Sequence, residues 1–366
     1  TDVYNVAVGY NAGLSVSTGV ENVLIGGLAG DAITAGSYNV ALGTGALGVS
    51  VLPSFNTAIG NASLGSNVHG HKNTAVGSGS LSSMAPAGSA DTFNTAVGFN
   101  AGTAVTTGTQ NTLVGALAGN SLTTGEKNTA IGKSALLTED TGDRNVAVGW
   151  GALQTLNYDG NGYNVAVGYD TGVNMTTGTQ NTIVGGLAGD ALTTGSWNTV
   201  LGYNALSAED GGGGNVAIGY QALLVQDAGA DAYNTAVGTG AGVAMTTGIR
   251  NTLIGAQAGD ALTTGNYNVA VGYNTLSTED ADGRNVAIGY EALKTLNAGA
   301  DANNVAVGYS SGYSLSTGVR NIMIGTSSGD TLTTGSDNIA IGHQALTAED
   351  AHGKNVAIGN YALQDQ

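Results

Sequence analysis

The sequence predicts an all-β fold, a parallel β-solenoid (β-roll) of about 21 coils. Three observations carry that prediction: a pentapeptide that recurs 21 times, a step of 17 residues between copies, and 62 glycines in 366 residues. Glycine at that density interrupts long helices, and no stretch shows the i, i+3, i+4, i+7 spacing of an amphipathic helix. Collagen is excluded because Gly does not recur at every third residue and only two prolines are present.

The pentapeptide reads Asn, then Val, Thr or Ile, then usually Ala, then Val, Ile or Leu, then Gly, from Asn5 to the copy at Asn355. The step is 17 residues except for 21 after Asn73 and 19 after each of Asn145, Asn215 and Asn285. A 70-residue period lies on top: Asn94, Asn164, Asn234 and Asn304 open near-identical four-motif blocks. The chain therefore reads as a single repeat domain over 1–366, with sub-blocks 5–72, 73–93 (an extra coil), 94–163, 164–233, 234–303 and 304–366.

Positions 2 and 4 of the motif are aliphatic or Thr in every copy, which is strand composition. A second apolar stretch such as Ala261-Leu262-Thr263 follows, then a turn such as Thr264-Gly265. Each coil is thus expected to run strand, turn, strand, turn. A unit so short cannot bury its own apolar face, so coil must stack on coil.

Asn at position 1 and Gly at position 5 both tolerate positive φ and are expected to turn the chain at fixed corners. Stacked in register, the asparagines would form an amide ladder. Alternation sends positions 2 and 4 to one side of the strand and position 3 to the other. Both sides are apolar, since position 3 is Ala in most copies and Leu24, Leu113, Ile183, Leu253 or Met323 in the second coil of each block. We expect one face to fill the coil and the other to meet neighbouring chains, with positions 2 and 4, Val148 among them, inside.

The balance of 9 basic and 26 acidic residues gives a net charge of −17, which disfavours nucleic acid and anionic lipid surfaces as partners. No Cys is present, so there is no disulfide framework and no thiolate chemistry. No apolar run is long enough for a membrane-spanning helix.

Motifs such as Asn145-Val146-Ala147-Val148-Gly149 followed by Ala152-Leu153 resemble the head repeats of trimeric autotransporter adhesins, and are similar to the repeats of bacteriophage tail fibres. The resemblance covers nearly the whole chain. It implies a left-handed, homotrimeric β-roll on a virion surface or cell-surface fibre, outside the cell. The 17-residue period is longer than the coil usual in adhesin heads, and no anchor strands or chaperone domain follow Gln366. A missing anchor argues against an intact autotransporter, and the expectation is a structural fibre or stalk segment, such as part of a tail fibre, that presents or contributes to attachment. The alternative is a trimeric adhesin head that binds matrix or glycan.

Several residues are candidates for more. The aromatic residues beside the motif, Trp150, Tyr169, Trp197, Tyr203, Tyr273 and Tyr309, either stack on sugars or cover coil edges and stack on one another. Glu139-Asp140, Glu209-Asp210, Glu279-Asp280 and Glu349-Asp350 recur at the 70-residue period, as carboxylates for Ca²⁺ or as a solvated rim paired with Arg144, Arg284 and Lys354. Asp31, Asp190, Asp260 and Asp330 occupy one turn of another coil. His69-Gly70-His71 is the one His-x-His, either a metal pair or a solvated loop. The Thr pairs Thr106-Thr107, Thr123-Thr124, Thr176-Thr177 and Thr193-Thr194 raise ice binding as a further option, interrupted because only two coils in four carry them. No nucleophile, base and orienting group form a unique set, so the chain reads as non-enzymatic, with no cofactor beyond a possible Ca²⁺ and with itself as first partner.

Overall fold

The computed structural model describes residues 3–281, 283–299, 301–347 and 350–364, and forms a parallel β-solenoid of about 21 turns with no helix among those residues. The chain divides into two compact units, residues 1–181 and 182–366. In the first, ten three-residue strands run from Val6–Val8 to Val165–Val167. In the second, eleven run from Thr182–Val184 to Val356–Ile358. Within each unit every such strand pairs in parallel with its neighbours in sequence, and like motif positions face one another, as in Ala130↔Ala147↔Ala166. The extra residues of the 21-residue coil add a short pair the sequence did not suggest, Gly70–His71 with Ala90–Asp91.

The interior is the opposite of the expected one. Ala147 is fully buried while Val146 and Val148 on either side are only half-buried, and position 3 is likewise the buried one in every later strand of the motif, the first strand alone being exposed throughout. Positions 2 and 4 point outward. The reason is the narrow bore of the coil. Opposite position 3 stands position 9, and the two share one volume: Ala41 goes with the buried Leu47, whereas the bulkier Leu24 goes with Gly30. A Cβ on Gly119 would lie 2.7 Å from Leu113 Cδ2, so the large position-3 residue of each block occupies space that only glycine leaves open. The four-motif period therefore combines three pairings of positions 3 and 9: Ala with Gly in the first coil (Ala96, Gly102), a large residue with Gly in the second (Leu113, Gly119), and a smaller residue with Leu in the third and fourth (Ala130, Leu136; Ala147, Leu153).

The asparagine ladder forms as expected. Asn22 donates its backbone N–H to Asn5 Oδ1 at 2.9 Å, and Asn39 donates to Asn22 Oδ1 at 3.0 Å. The side-chain Nδ2 of Asn22 closes the coil by donating to the Gly36 carbonyl at 2.9 Å. The left-handed corner lies one residue earlier than expected, on residues such as Tyr38 (φ 62°), Lys127 (φ 60°) and Arg144 (φ 60°). Position 5 does require glycine: Gly26 has φ 135°, and a Cβ there would lie 2.5 Å from the Gly43 carbonyl oxygen.

Among the described residues the expected second strand, at stretches such as Ala261-Leu262-Thr263, is absent. After the motif the chain turns through three-residue hydrogen-bonded loops, such as Ala258 N–H to Gly255 O at 3.2 Å and Leu262 N–H to Gly259 O at 3.1 Å. Left-handed residues at positions 7 and 9, for example Gln257 (φ 56°) and Leu276 (φ 51°), forbid an extended backbone there. Leu262 still reaches the core from a turn.

Candidate functional site

The outward strand face has four columns. Positions 2 and 4 supply Val, Ile, Leu or Thr in every copy and no charged residue in any. Their exposure is substantial for aliphatic groups: Leu42 43%, Leu201 48%, Ile254 40%. Flanking them are the residue before the motif and the residue after it. The column after the motif holds stacked rings: Trp150 on Tyr169 (5.1 Å, 11°), Tyr203 on Tyr220 (6.0 Å, 12°), Tyr273 on Tyr290 (5.5 Å, 21°) and Tyr290 on Tyr309 (5.1 Å, 6°). The sugar-stacking candidates Trp150, Tyr169, Tyr203, Tyr273 and Tyr309 thus each give a face to a neighbouring ring. Trp197 stands in the other column and is exposed.

That other column was recognised from the sequence only for its aromatic residues, although its basic residues were legible there too. It holds seven of the nine basic residues: Lys72, Lys127, Arg144, Arg250, Arg284, Arg320 and Lys354. Lys72 lies over Phe93 at 5.1 Å, Arg144 over Tyr163 at 5.7 Å and Arg250 over Tyr267 at 5.6 Å. Lys72 pairs with Asp91, Arg284 with Asp301 and Arg320 with Asp337, each at 2.6 Å. These partners differ from the Glu-Asp turns expected for Arg284, and Arg144 stacks on an aromatic ring.

The recurring glutamates are not a solvated rim. Glu139, Glu209 and Glu279 are fully buried. Glu139 Oε1 accepts the N–H groups of Gly142 (2.7 Å) and Asp140 (3.1 Å), and Oε2 accepts that of Tyr158 (3.2 Å). Glu209 accepts from Gly212 N–H (2.6 Å), Gln226 Nε2 (3.1 Å) and Ala228 N–H (3.3 Å). Tyr158 and Ala228 lie in the next coil, which is the 19-residue coil in both cases. The glutamate recurs because the two inserted residues present backbone donors that need a buried acceptor. Ser50 holds the same position where the next coil has no insertion. Burial pushes the Glu139 and Glu209 carboxyls up, against the opposing pull of those backbone donors.

The adjacent aspartates serve through their main chain: the carbonyls of Asp140, Asp210, Asp280 and Asp350 accept the N–H of Thr123, Thr193, Thr263 and Thr333. Oxygens of Glu209, Asp210 and Asp227 lie within 4.8 Å of one another, but Glu209 is already committed to three donors. Glu349 lies outside the described residues. In the Thr pairs it is the first hydroxyl that is occupied: Thr106 Oγ1 donates to Thr123 O (3.2 Å), Thr123 Oγ1 to Asp140 O (3.0 Å) and Thr193 Oγ1 to Asp210 O (2.9 Å). Those three hydroxyls bond one coil to the next.

His71 Nδ1 accepts the Ser54 N–H at 2.9 Å and its Nε2 meets Ser89 Oγ at 2.6 Å. Both nitrogens of His71 thus have protein partners, whereas His69 Nδ1 is buried without one. No helix among the described residues is long and apolar enough to cross a membrane. No known protein family's sequence profile matches the chain, and no curated protein matches it in sequence.

Proposed function

We propose that the chain is a non-enzymatic structural segment of an extracellular fibre, such as a phage tail fibre or similar surface fibre, that assembles laterally as a left-handed homotrimer. The observation that carries this is the outward strand face. Two adjacent columns of aliphatic residues and Thr without a single charge run up each unit, on a chain whose net charge is −17. Exposed aliphatic surface repeated up a column with no charge in it supports a contact face. Acidic residues are absent from positions 2 and 4, so copies meeting there avoid the repulsion that their total charge would impose. Rings and guanidinium groups at the rim match the residue types that dominate protein interfaces.

Native mass spectrometry tests the reading. Three chains are expected, with 3 × −17 = −51 formal charges. Val148→Asp combined with Val167→Asp should release folded single chains. A wild-type protein that stays monomeric at high concentration would overturn the proposal.

A further inference from the structure

The ring column of the second unit has a break whose position is informative. At the step into the first coil of a block, Tyr290 stacks on Tyr309 at 5.1 Å. In the first unit the same step places Trp150 on Tyr169, also at 5.1 Å. The corresponding step in the block opening at Asn234 runs from Tyr220 to Thr239, followed by Ala256 before the rings resume at Tyr273. A ring is missing there, and a surface cavity of about 360 Å³ stands in its place. That volume falls within the range of small-molecule sites, about 300–1,000 Å³. Tyr220, stacked on Tyr203, forms one wall; Gln221, Thr239, Val243, Gln257 and Asp260 line the rest together with the small Gly240 and Ala256. Asp260 Oδ1 has no hydrogen-bond partner. The lining includes no cation.

We propose that this cavity binds an uncharged hexopyranose unit, its C–H face stacked on Tyr220 and its hydroxyls hydrogen-bonded by Gln221, Gln257 and Asp260. A flat apolar ligand face takes the place of the absent ring. Two amides and a carboxylate require a partner rich in donors and acceptors, which a sugar supplies and an aromatic side chain does not. A carboxylate with no basic residue beside it turns away anionic sugars. The cavity lies at the corner after the strand, at positions 6, 7 and 10, so it stays clear of the aliphatic columns assigned to assembly. The inference rests on the reading of the chain as part of a surface fibre, and narrows what such a fibre would touch.

Saturation-transfer NMR on the full chain is the test, with methyl glucopyranoside, galactopyranoside and mannopyranoside as probes, glucuronic acid as the anionic control and p-cresol as the side-chain analogue. At least one neutral pyranoside should receive transfer on one ring face, with glucuronic acid at least tenfold weaker. Thr239→Tyr restores the residue found at 169 and 309, so it keeps the fold and closes the cavity; it should reduce binding at least tenfold. Tyr220→Ala and Gln257→Ala should weaken binding too. Absence of transfer to every neutral pyranoside, or undiminished transfer in Thr239→Tyr, overturns the proposal. Binding of p-cresol in preference to the sugars also overturns it, and gives the cavity to an aromatic side chain of a protein partner. Native masses of the same samples separate the two readings: trimers without sugar binding refute only the cavity, and sugar-binding monomers refute only the assembly.

Discussion

Ala147 and Val148 are neighbours on one strand, both apolar, and the coil treats them oppositely: the smaller is fully buried and the larger faces out. Hydrophobicity alone would place the valine inside. In a coil this narrow the deciding quantity is volume, because position 3 faces position 9 across a bore that holds one large side chain and not two. Leu47, Leu136 and Leu153 fill that bore from position 9, and the strand residue opposite is Ala; the bulkiest strand residue that shares the bore with such a Leu is Val200, opposite Leu206. Where position 3 is itself large, as at Leu113 or Leu253, glycine stands at position 9. The outer face has no such limit and carries the β-branched residues that stabilise strands.

The sharpest way to break this comparison is to put the same charge on each side of the strand. Ala147→Asp buries an unpaired carboxylate and is expected to cost several kcal/mol, enough to abolish cooperative melting of the affected coils. Val148→Asp should leave the melting of a single chain within about 1 kcal/mol of wild type while weakening association. Equal losses for the two variants, followed by circular dichroism, would restore the inverted assignment.

A double substitution sharpens the volume argument. Leu113→Ala should cost about 2–5 kcal/mol by opening a cavity, and Gly119→Leu should destabilise by overpacking. Together they convert one cross-section of the coil into the other, and the pair should melt well above the sum of the single losses. The backbone permits the exchange: Gly119 has φ 54°, and leucine occupies position 9 at φ 51° in Leu47 and 52° in Leu136. Additive losses in urea melts would show that positions 3 and 9 do not share a volume.

Much of this was legible beforehand, and the misses have physical causes. The 17-residue period and the in-register asparagines follow from the spacing of Asn5, Asn22 and Asn39, because identical steps leave identical neighbours. The direction of the strand was not legible from its alternation, since both faces are apolar. It could have been found by pairing position 3 with position 9, where Leu, Ile or Met at position 3 is always accompanied by Gly and Leu at position 9 only by Ala or Val. The buried glutamates were hidden because charge suggests exposure. Their signal was the coincidence of Glu139, Glu209 and Glu279 with the three 19-residue coils that follow them. The basic column was visible in the same way, as one motif offset shared by Lys72 and Arg320.

The buried glutamates are the polar counterpart of that core. Glu139→Leu leaves the N–H groups of Gly142 and Tyr158 without their acceptor, and about 1–3 kcal/mol should be lost for it. Chelation makes the contrasting case. If the carboxylates act through backbone donors and not through Ca²⁺, EDTA should leave the melting temperature within a degree or two. A large drop on chelation, reversed by Ca²⁺, would return Glu209, Asp210 and Asp227 to the role of metal ligands.

The smallest expected effect is the dependence on pH. Burial raises the carboxyls of Glu139, Glu209, Asp260 and Asp330 above their ordinary values. A group raised in the folded state contributes stability that is fully present below its unfolded pKa and is lost as pH rises through the folded one. These four therefore favour the folded chain more strongly as pH falls from 7 towards the ordinary carboxylate range of about 4. Asp337 works the other way: its hydrogen bond and ion pair with Arg320 hold it below the ordinary range. Its contribution survives until the pH drops through that lowered value, and its exposure keeps it small. Between pH 7 and 5, still above the isoelectric point of about 4.2, the melting temperature should rise by a few degrees. Glu139→Gln, which removes one titrating group while keeping the side chain's size, should flatten that rise. A melting temperature that falls steadily over this interval would mean that the buried carboxylates are stabilised as anions, and that their backbone donors outweigh the burial.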